Sequence, residues 1–371
     1  MEKAKISNWQ LFVLLLLFEL GSAQLVPTAI GAKQDAWMAI LIAMVGGFLL
    51  FLIYHRLYQY YPNIPLTEYV QKLTGKIFGR FFAFLYILYF SYVAARVLRD
   101  FGEMLVTVAY LETPLFIANA LFMVVIIYSV RKGIEVLARA GELFFVLIYI
   151  LAISGFILLV ASGTIDVNNL RPVLEEGIMP ILTSAFTETL FFPFGEVIVF
   201  AMIMPYLNKP EKVKKTGLLA IGLSGINLTL VMAMNICVLG VDLTSRSPFP
   251  LLSTIQTIQI AEFLERLDVY FMIAMIIGGF FKICLFIYAA VAGASGIFNI
   301  SQPEKLVYPM GLVILFLSIT IASNYTEHLH EGITHITFIL HLPFQVIIPS
   351  FLLVIAFFKN RKKQGAVIKA E

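Results

Sequence analysis

The run Phe186-Thr187-Glu188-Thr189-Leu190-Phe191-Phe192-Pro193-Phe194-Gly195-Glu196 lies in the middle of an apolar segment that extends from 181 to 206. About 20 apolar residues are enough to cross a bilayer as a helix, but here a proline, a glycine and two glutamates interrupt them. Irregular backbone is tolerated at membrane depth only where it lines a cavity or is buried in protein. The run therefore predicts a broken membrane helix beside a ligand-sized cavity.

A second interruption lies near the N-terminus, where Phe18-Glu19-Leu20-Gly21-Ser22-Ala23-Gln24-Leu25-Val26-Pro27 divides an apolar segment from 6 to 30. Gly and Pro also occur in membrane helices for packing reasons, so a simple kink is the alternative. Interruptions at corresponding positions of two halves are typical of a secondary-transporter binding site. Such a site suits an amino acid, because half-helix N–H groups attract a carboxylate while unwound carbonyls attract an ammonium.

The composition is that of a membrane protein. Of 371 residues, 60% are hydrophobic and 13% are charged, whereas a soluble chain has roughly 45–50% apolar and about 25% charged residues. A soluble enzyme is therefore excluded. The net charge of +3 is too small, and the basic residues of the chain are too dispersed, to indicate nucleic-acid binding. We expect one membrane domain over 1–371.

Ten apolar segments predict ten membrane helices. They lie at 6–30, 36–61, 81–110, 113–130, 141–161, 181–206, 216–240, 269–298, 306–323 and 337–358. Because each half contains an odd number of spans, the second half is inverted relative to the first. The sequence thus predicts an all-α integral membrane protein with a five-helix repeat over 6–161, an inverted repeat over 181–358, breaks in helices 1 and 6, and a basic tail over 359–371.

Lys and Arg residues segregate by side in this arrangement. Nineteen of the 26 lie on the side of the N-terminus, four lie on the opposite side and three lie inside spans. Cytoplasmic segments carry an excess of Lys and Arg. We therefore expect both termini to be cytoplasmic.

Ten spans with breaks in the first and sixth resemble the amino acid/polyamine/organocation superfamily, which has the LeuT-like 5+5 inverted-repeat fold. Phe191-Phe192-Pro193-Phe194-Gly195-Glu196 is similar to the aromatic-Gly-Glu signature of that superfamily's span 6. This run, the chain length and the basic tail resemble the GerAB-type B subunits of spore germinant receptors. The resemblance implies a spore inner-membrane protein that recognises a small nutrient, often an amino acid, together with an A-type subunit and a lipoprotein C-type subunit.

Small and aromatic residues at the two interruptions are the candidate ligand-binding residues. Gly21, Ser22 and Ala23 would let the ligand's carboxylate oxygens approach backbone N–H groups; close helix packing is the alternative. Phe192, Phe194 and Gly195 would supply carbonyls for an ammonium and aromatic walls, with core or lipid contact as the alternative. The resemblance adds Tyr92, because this fold commonly places a span 3 aromatic over its site.

Ionisable residues inside a bilayer usually face the bundle interior and often mark function. Tyr89, Tyr92, Arg96, Arg99 and Glu103 follow one another at steps of 3 or 4 and so share one helix face. The spacing allows i,i+4 ion pairs of Arg96 with Asp100 and of Arg99 with Glu103. These pairs serve either a ligand pathway or only the bracing of the bundle.

Lys282, near the centre of span 8, is a candidate coupling residue. In sodium-coupled members of the fold that the chain resembles, a cation lies between spans 1 and 8. We expect Lys282 to pair with Glu19, Glu188 or Glu196 and so hold the break of span 1. A structural, mutually neutralised pair is the alternative.

No catalytic motif, metal site or cofactor is predicted. The outer histidines His328, His330 and His335 match no standard zinc spacing, and we expect them in a solvated loop. Three functions remain open: a receptor subunit that binds a nutrient at the helix 1/6 breaks, a proton-coupled amino acid transporter with Glu188 or Glu196 as proton carrier, and a ligand-gated pore.

Overall fold

The computed structural model describes residues 5–258 and 267–368, and the regular structure of these residues is helical. The helices in chain order are α1 Asn8–Ala23, α2 Ala36–Tyr60, α3 Leu66–Thr74, α4 Lys76–Val108, α5 Leu115–Arg131, α6 Ile134–Ser162, α7 Met179–Ser184, α8 Val213–Arg246, α9 Pro250–Gln256, α10 Asp268–Phe298, α11 Pro303–Thr320, α12 Tyr325–Glu331 and α13 Ile348–Ile368.

Eight helical segments of the described chain are long and apolar enough to cross a membrane. They are Ile30–Tyr60, Lys76–Val108, Ile134–Ser162, Met179–Met202, Pro210–Arg246, Asp268–Phe298, Pro303–Thr320 and His335–Arg361. Two shorter apolar helices, Asn8–Ala23 and Leu115–Arg131, occupy the remaining predicted positions. The prediction of an all-α membrane protein is confirmed.

Helices α1 and α10 form the centre of the bundle. From Leu11 to Ala23 almost every side chain of α1 is buried, as expected of a helix that is apolar on all sides. At Gly21 the two backbones touch, because a Cβ there would lie 2.7 Å from the Gly278 carbonyl oxygen. Helix α6, by contrast, exposes most of its apolar side chains, which places it at the lipid-facing periphery.

The first interruption follows the end of α1 at Ala23. Turn residues lead to Ala29, whose φ of 61° lies in the left-handed region, and a 3₁₀ turn Ile30–Asp35 precedes α2. Pro27 has no N–H to give to the carbonyl four residues earlier, that of Ala23. The Thr28 hydroxyl donates to this carbonyl instead, at 2.8 Å, so a side chain satisfies the end of the helix.

The second interruption follows α7. A π-helical turn Ala185–Thr189 ends in turn residues around Pro193, and a 3₁₀ segment Phe194–Met202 continues the chain. Pro193 again removes the backbone donor that an α-helix would need at this point. The two interruptions quoted from the sequence therefore coincide with irregular backbone.

A third irregularity was not predicted. Gly332–Ile347, at the start of the last predicted span, is π-helical and contains Pro343. Beyond it α13 runs to Ile368, so that the predicted basic tail continues as helix up to that residue, and 369–371 lie outside the described residues.

Candidate functional site

A cavity of about 120 Å³ lies between the two interruptions and is closed by α4 and by the segment around α12. Its lining residues are Val26, Pro27, Thr28, Ala29, Val93, Arg96, Val97, Asp100, Glu188, Thr189, Phe192, Glu196, Leu329, Gly332, Thr337 and His341. Both irregular segments thus contribute side chains to one cavity.

The span 6 wall of the cavity carries three polar side chains and one aromatic ring. Glu188, Thr189, Phe192 and Glu196 all face the cavity. The Thr189 hydroxyl is fully buried and has no hydrogen-bond partner within the described part of the chain. Buried polar groups are normally satisfied, which makes this hydroxyl a candidate ligand contact.

Helix α4 forms the opposite wall with one face. Val93, Arg96, Val97 and Asp100 are spaced at steps of three, one and three, which places them on the same side of the helix. The Arg96 guanidinium donates to the His328 carbonyl, and it lies 3.5 Å from the Tyr92 hydroxyl. A fixed positive charge therefore borders the cavity.

Helix α12 closes the site on the predicted outer side. His328 Nε2 lies 2.9 Å from Asp100 Oδ1, and the Tyr325 ring stacks on that of His328 at 5.8 Å between centroids. Burial raises the pKa of the Tyr325 phenol, which stays neutral beside Asp100. The expectation that the outer histidines lie in a solvated loop is therefore wrong for His328, which is 1% exposed; an intervening helix buries it against α4.

A buried network supports the inner end of the cavity. The Tyr89 hydroxyl lies 2.9 Å from His341 Nδ1 and accepts a hydrogen bond of 2.8 Å from Gln345 Nε2. His341 itself lines the cavity. This network fixes the orientation of the imidazole.

Behind the cavity wall, Lys282 Nζ lies 2.5 Å from Glu196 Oε2. The ammonium also lies 5.0 Å from the centre of the Phe18 ring and 4.6 Å from that of Phe192, close enough for cation–π attraction. Of the three carboxylates predicted as partners, Glu196 is the one in contact. Lys282 thus joins α10 to both interrupted segments.

Four of the predicted site residues line the cavity: Arg96, Glu188, Phe192 and Glu196. The others lie elsewhere in the described structure. Gly21, Ser22 and Ala23 are buried inside α1, one to two turns before the cavity-lining residues, and Gly21 has the packing role that was the alternative. The first-span contribution comes instead from 26–29, because the helix ends at Ala23 and the chain turns only beyond it.

Two further predicted contacts face neighbouring helices. Phe194 packs on α2, where a Cβ on Gly47 would lie 2.8 Å from it. Gly195 leaves room for Gln345, since a Cβ there would lie 2.0 Å from the amide oxygen. Tyr92 contacts Arg96 but is outside the cavity lining.

The predicted charge pairs on α4 form only in part. Arg99 Nε lies 2.8 Å from Glu103 Oε1, and Arg99 also donates to three carbonyls at the end of α11, among them that of Ile319 at 3.2 Å. Cationic groups stabilise helix C-termini, so this pair braces the bundle. Arg96 and Asp100 bind His328 instead of each other, because the fold brings α12 between them.

Sequence reasoning missed Thr189, Thr337 and His341 as cavity residues. Thr189 lies inside the quoted interruption, but its small side chain is a weaker signal than those of its aromatic neighbours. Thr337 and His341 precede Pro343 in the same segment, and a proline within an apolar span is the signal that could have identified a third irregular segment.

A family model described as "Spore germination protein" matches residues 5–326. Spore germination protein KB of Bacillus subtilis (strain 168) is 55% identical over 364 residues, which cover 98% of each chain. Spore germination protein YndE of the same strain is 26% identical, over 85% of this chain and 87% of the relative.

Solved structures share the fold at low sequence identity. MhsT in complex with L-phenylalanine superposes with a TM-score of 0.66 and 14% identity, over 96% of this chain and 99% of MhsT. The nucleobase-cation-symport-1 family transporter Mhp1, with bromovinylhydantoin bound, superposes with a TM-score of 0.66 and 11% identity, over 87% of this chain and 73% of Mhp1. The fold is thus LeuT-like, and the chain belongs to the spore germination protein family of multi-pass membrane proteins.

Proposed function

We propose that this chain is the ligand-recognising membrane subunit of a spore germinant receptor and that it binds a compact amino acid in the cavity between the two interruptions. It would act in the spore inner membrane with A-type and lipoprotein C-type subunits, as the family resemblance implies. Ten helices would cross the membrane as repeats over 6–161 and 181–358, with both termini and the basic segment 359–371 in the cytoplasm.

The unpartnered Thr189 hydroxyl on the wall of this cavity carries the proposal. Leaving a buried hydroxyl without a partner costs about 1–3 kcal/mol, and a polar ligand atom would recover part of this free energy. Around the hydroxyl, the cavity offers Arg96 to a carboxylate and Glu188 to an ammonium. This charge arrangement is complementary to a zwitterion.

The cavity volume supports a small ligand. A cavity of about 150 Å³ holds a benzene molecule of six heavy atoms, and the present cavity has about 120 Å³. An amino acid of five or six heavy atoms in all, with at most one heavy atom in its side chain, matches that size. Binding transmits a signal only through different affinities for two conformations.

Calorimetry of ligand binding to the purified chain, with a panel of L-amino acids and hexoses, tests the site. We expect a compact amino acid to bind, and Thr189→Val to weaken its binding roughly 5- to 10-fold, corresponding to about 1–1.4 kcal/mol. Val97→Leu adds a methylene group to the cavity wall and should weaken the larger amino acids most. Val45→Leu on the exposed face of α2 is the matched control and should bind as the wild type does.

Binding of hexoses alone, or amino acid binding that neither cavity variant changes, would contradict the proposed site. Reconstitution in vesicles then separates the three functions. A receptor subunit binds without accumulating ligand, a proton-coupled transporter takes ligand up, and a pore shows ligand-triggered ion flux without uptake.

A further inference from the structure

Glu19, in the second half of α1, is a buried carboxyl group. Its side chain is 0% exposed, and neither carboxyl oxygen has a hydrogen-bond partner among the residues that the structure describes. An ionised carboxylate only accepts hydrogen bonds, and at this place it would lose its hydration without any replacement. Such isolated buried charges are so unfavourable that the group becomes neutral instead.

The neighbouring hydroxyl on α8 donates its proton to another acceptor. Ser224 lies beside Glu19 but donates its own proton to the Ala220 carbonyl at 2.9 Å. The Ser224 oxygen is therefore left with lone pairs only. An ionised Glu19 would therefore meet this oxygen as a second acceptor.

The charged groups around Glu19 also favour its neutral form. Lys282 on α10 and Glu196 on the 3₁₀ segment are its charged neighbours, and the ammonium lies 2.5 Å from Glu196. From α6, Glu142 accepts a hydrogen bond from Gln10, nine residues before Glu19 and so about 13 Å away along the helix axis. One ammonium faces two carboxyl groups, and it is in contact with Glu196.

We propose that Glu19 is a proton-binding site, which holds one proton in this conformation and releases it when Lys282 moves from Glu196 to Glu19. In that step the O–H bond of the Glu19 carboxyl breaks, the proton passes to water, and the carboxylate takes the ammonium as its counter-ion. Glu196, which lines the cavity, then becomes free for a cationic group. This last part rests on the proposed function; the proton on Glu19 does not.

Infrared spectroscopy of the purified full chain tests the protonation directly. The carbonyl stretch of a protonated carboxylic acid should be present at neutral pH, shift in D₂O and disappear in Glu19→Gln. A spectrum in which Glu19→Gln removes only carboxylate bands would overturn the proposal.

Thermal denaturation of matched variants gives a second test, since both changes replace a carboxyl group by an amide. Glu19→Gln exchanges one neutral group for another, so the Tm should stay within about 2 °C of the wild type. Glu196→Gln leaves the Lys282 ammonium without its counter-ion and should lower the Tm by about 5 °C or more. An equal decrease in both variants would show that Glu19 is ionised.

A sodium arm distinguishes a proton from a metal cation. The Tm should be the same in sodium chloride and in choline chloride. A stabilisation by sodium that Glu19→Gln abolishes would assign the site to sodium and overturn the proposal.

Discussion

Pro349 removes a backbone donor from the last span, and two tyrosines replace it. In α-helical geometry the Gln345 carbonyl, and in π-helical geometry the Phe344 carbonyl, would bond to the N–H of residue 349. The Tyr54 hydroxyl donates to the Gln345 carbonyl at 2.6 Å and the Tyr86 hydroxyl to the Phe344 carbonyl at 2.8 Å. Side chains of α2 and α4 thus satisfy the irregular backbone.

Tyr54→Phe should therefore destabilise the protein. The change leaves the buried Gln345 carbonyl without its strong donor, at a cost of about 1–3 kcal/mol. The difference can be measured as the unfolding free energy in detergent. Tyr110→Phe, on a surface side chain, should change it by less than about 0.5 kcal/mol; equal effects of the two variants would refute this role of Tyr54.

Replacement of Gly195 and of Gly155 by alanine should change the free energy of unfolding in opposite directions. At Gly195 the new Cβ would lie 2.0 Å from Gln345 Oε1, and Gln345 cannot yield without losing its bond to Tyr89. We expect a loss of about 1–3 kcal/mol for Gly195→Ala. No atom of the described residues lies within 4 Å of the Cβ position at Gly155, so Gly155→Ala should gain up to about 1 kcal/mol of helix propensity. Unfolding free energies that move in the same direction would contradict this.

Helix α12 is held as a unit by contacts to α4. Seven residues are too few to form a stable helix alone, so α12 depends on the bond between His328 and Asp100 and on the donation from Arg96 to the His328 carbonyl. The cavity is therefore closed by an element with low intrinsic stability. Elements that move on ligand binding are drawn from this class.

Asp100→Asn should loosen α12. Loss of the charge at the His328 contact should raise amide hydrogen exchange in 325–331 about 10-fold, corresponding to about 1.4 kcal/mol of local opening free energy. Hydrogen-exchange mass spectrometry measures this rate. Asp242→Asn, exposed on α8, is the control and should leave the segment unchanged, and unchanged exchange in Asp100→Asn would show that other contacts hold α12.

The sequence predicted whole elements better than it predicted the site residues. Span positions follow from apolar length, and the two interruptions follow from Pro27 and Pro193, because a missing N–H is visible in the sequence. The cavity-lining role of 26–29 and the close contact at Gly21 depend on where α1 ends relative to α10. That register is set by tertiary packing between distant parts of the chain, which no local pattern encodes.

The orientation of the whole molecule stays a prediction and can be tested by labelling. In a background without Cys237 and Cys284, both buried, a cysteine at exposed Glu176 should react with a membrane-impermeant maleimide in intact cells. A cysteine at exposed Lys212 should react only after permeabilisation, because the Lys- and Arg-rich side is cytoplasmic. The reverse labelling pattern would invert the topology.

The contact between Gly21 and Gly278 is also a point about which α1 can tilt. Along the helix axis, Gly21 lies two residues, or about 3 Å, from the end of α1 at Ala23. It lies thirteen residues, or about 20 Å, from Asn8 at the other end. A tilt about the contact would thus amplify a displacement near the cavity roughly sixfold at the opposite end. There Ile6 is tied to the chain after the 3₁₀ segment by two backbone bonds, from Ile6 N–H to the Tyr206 carbonyl and from Asn208 N–H to the Ile6 carbonyl. A tilt of α1 on ligand binding would therefore strain those two hydrogen bonds.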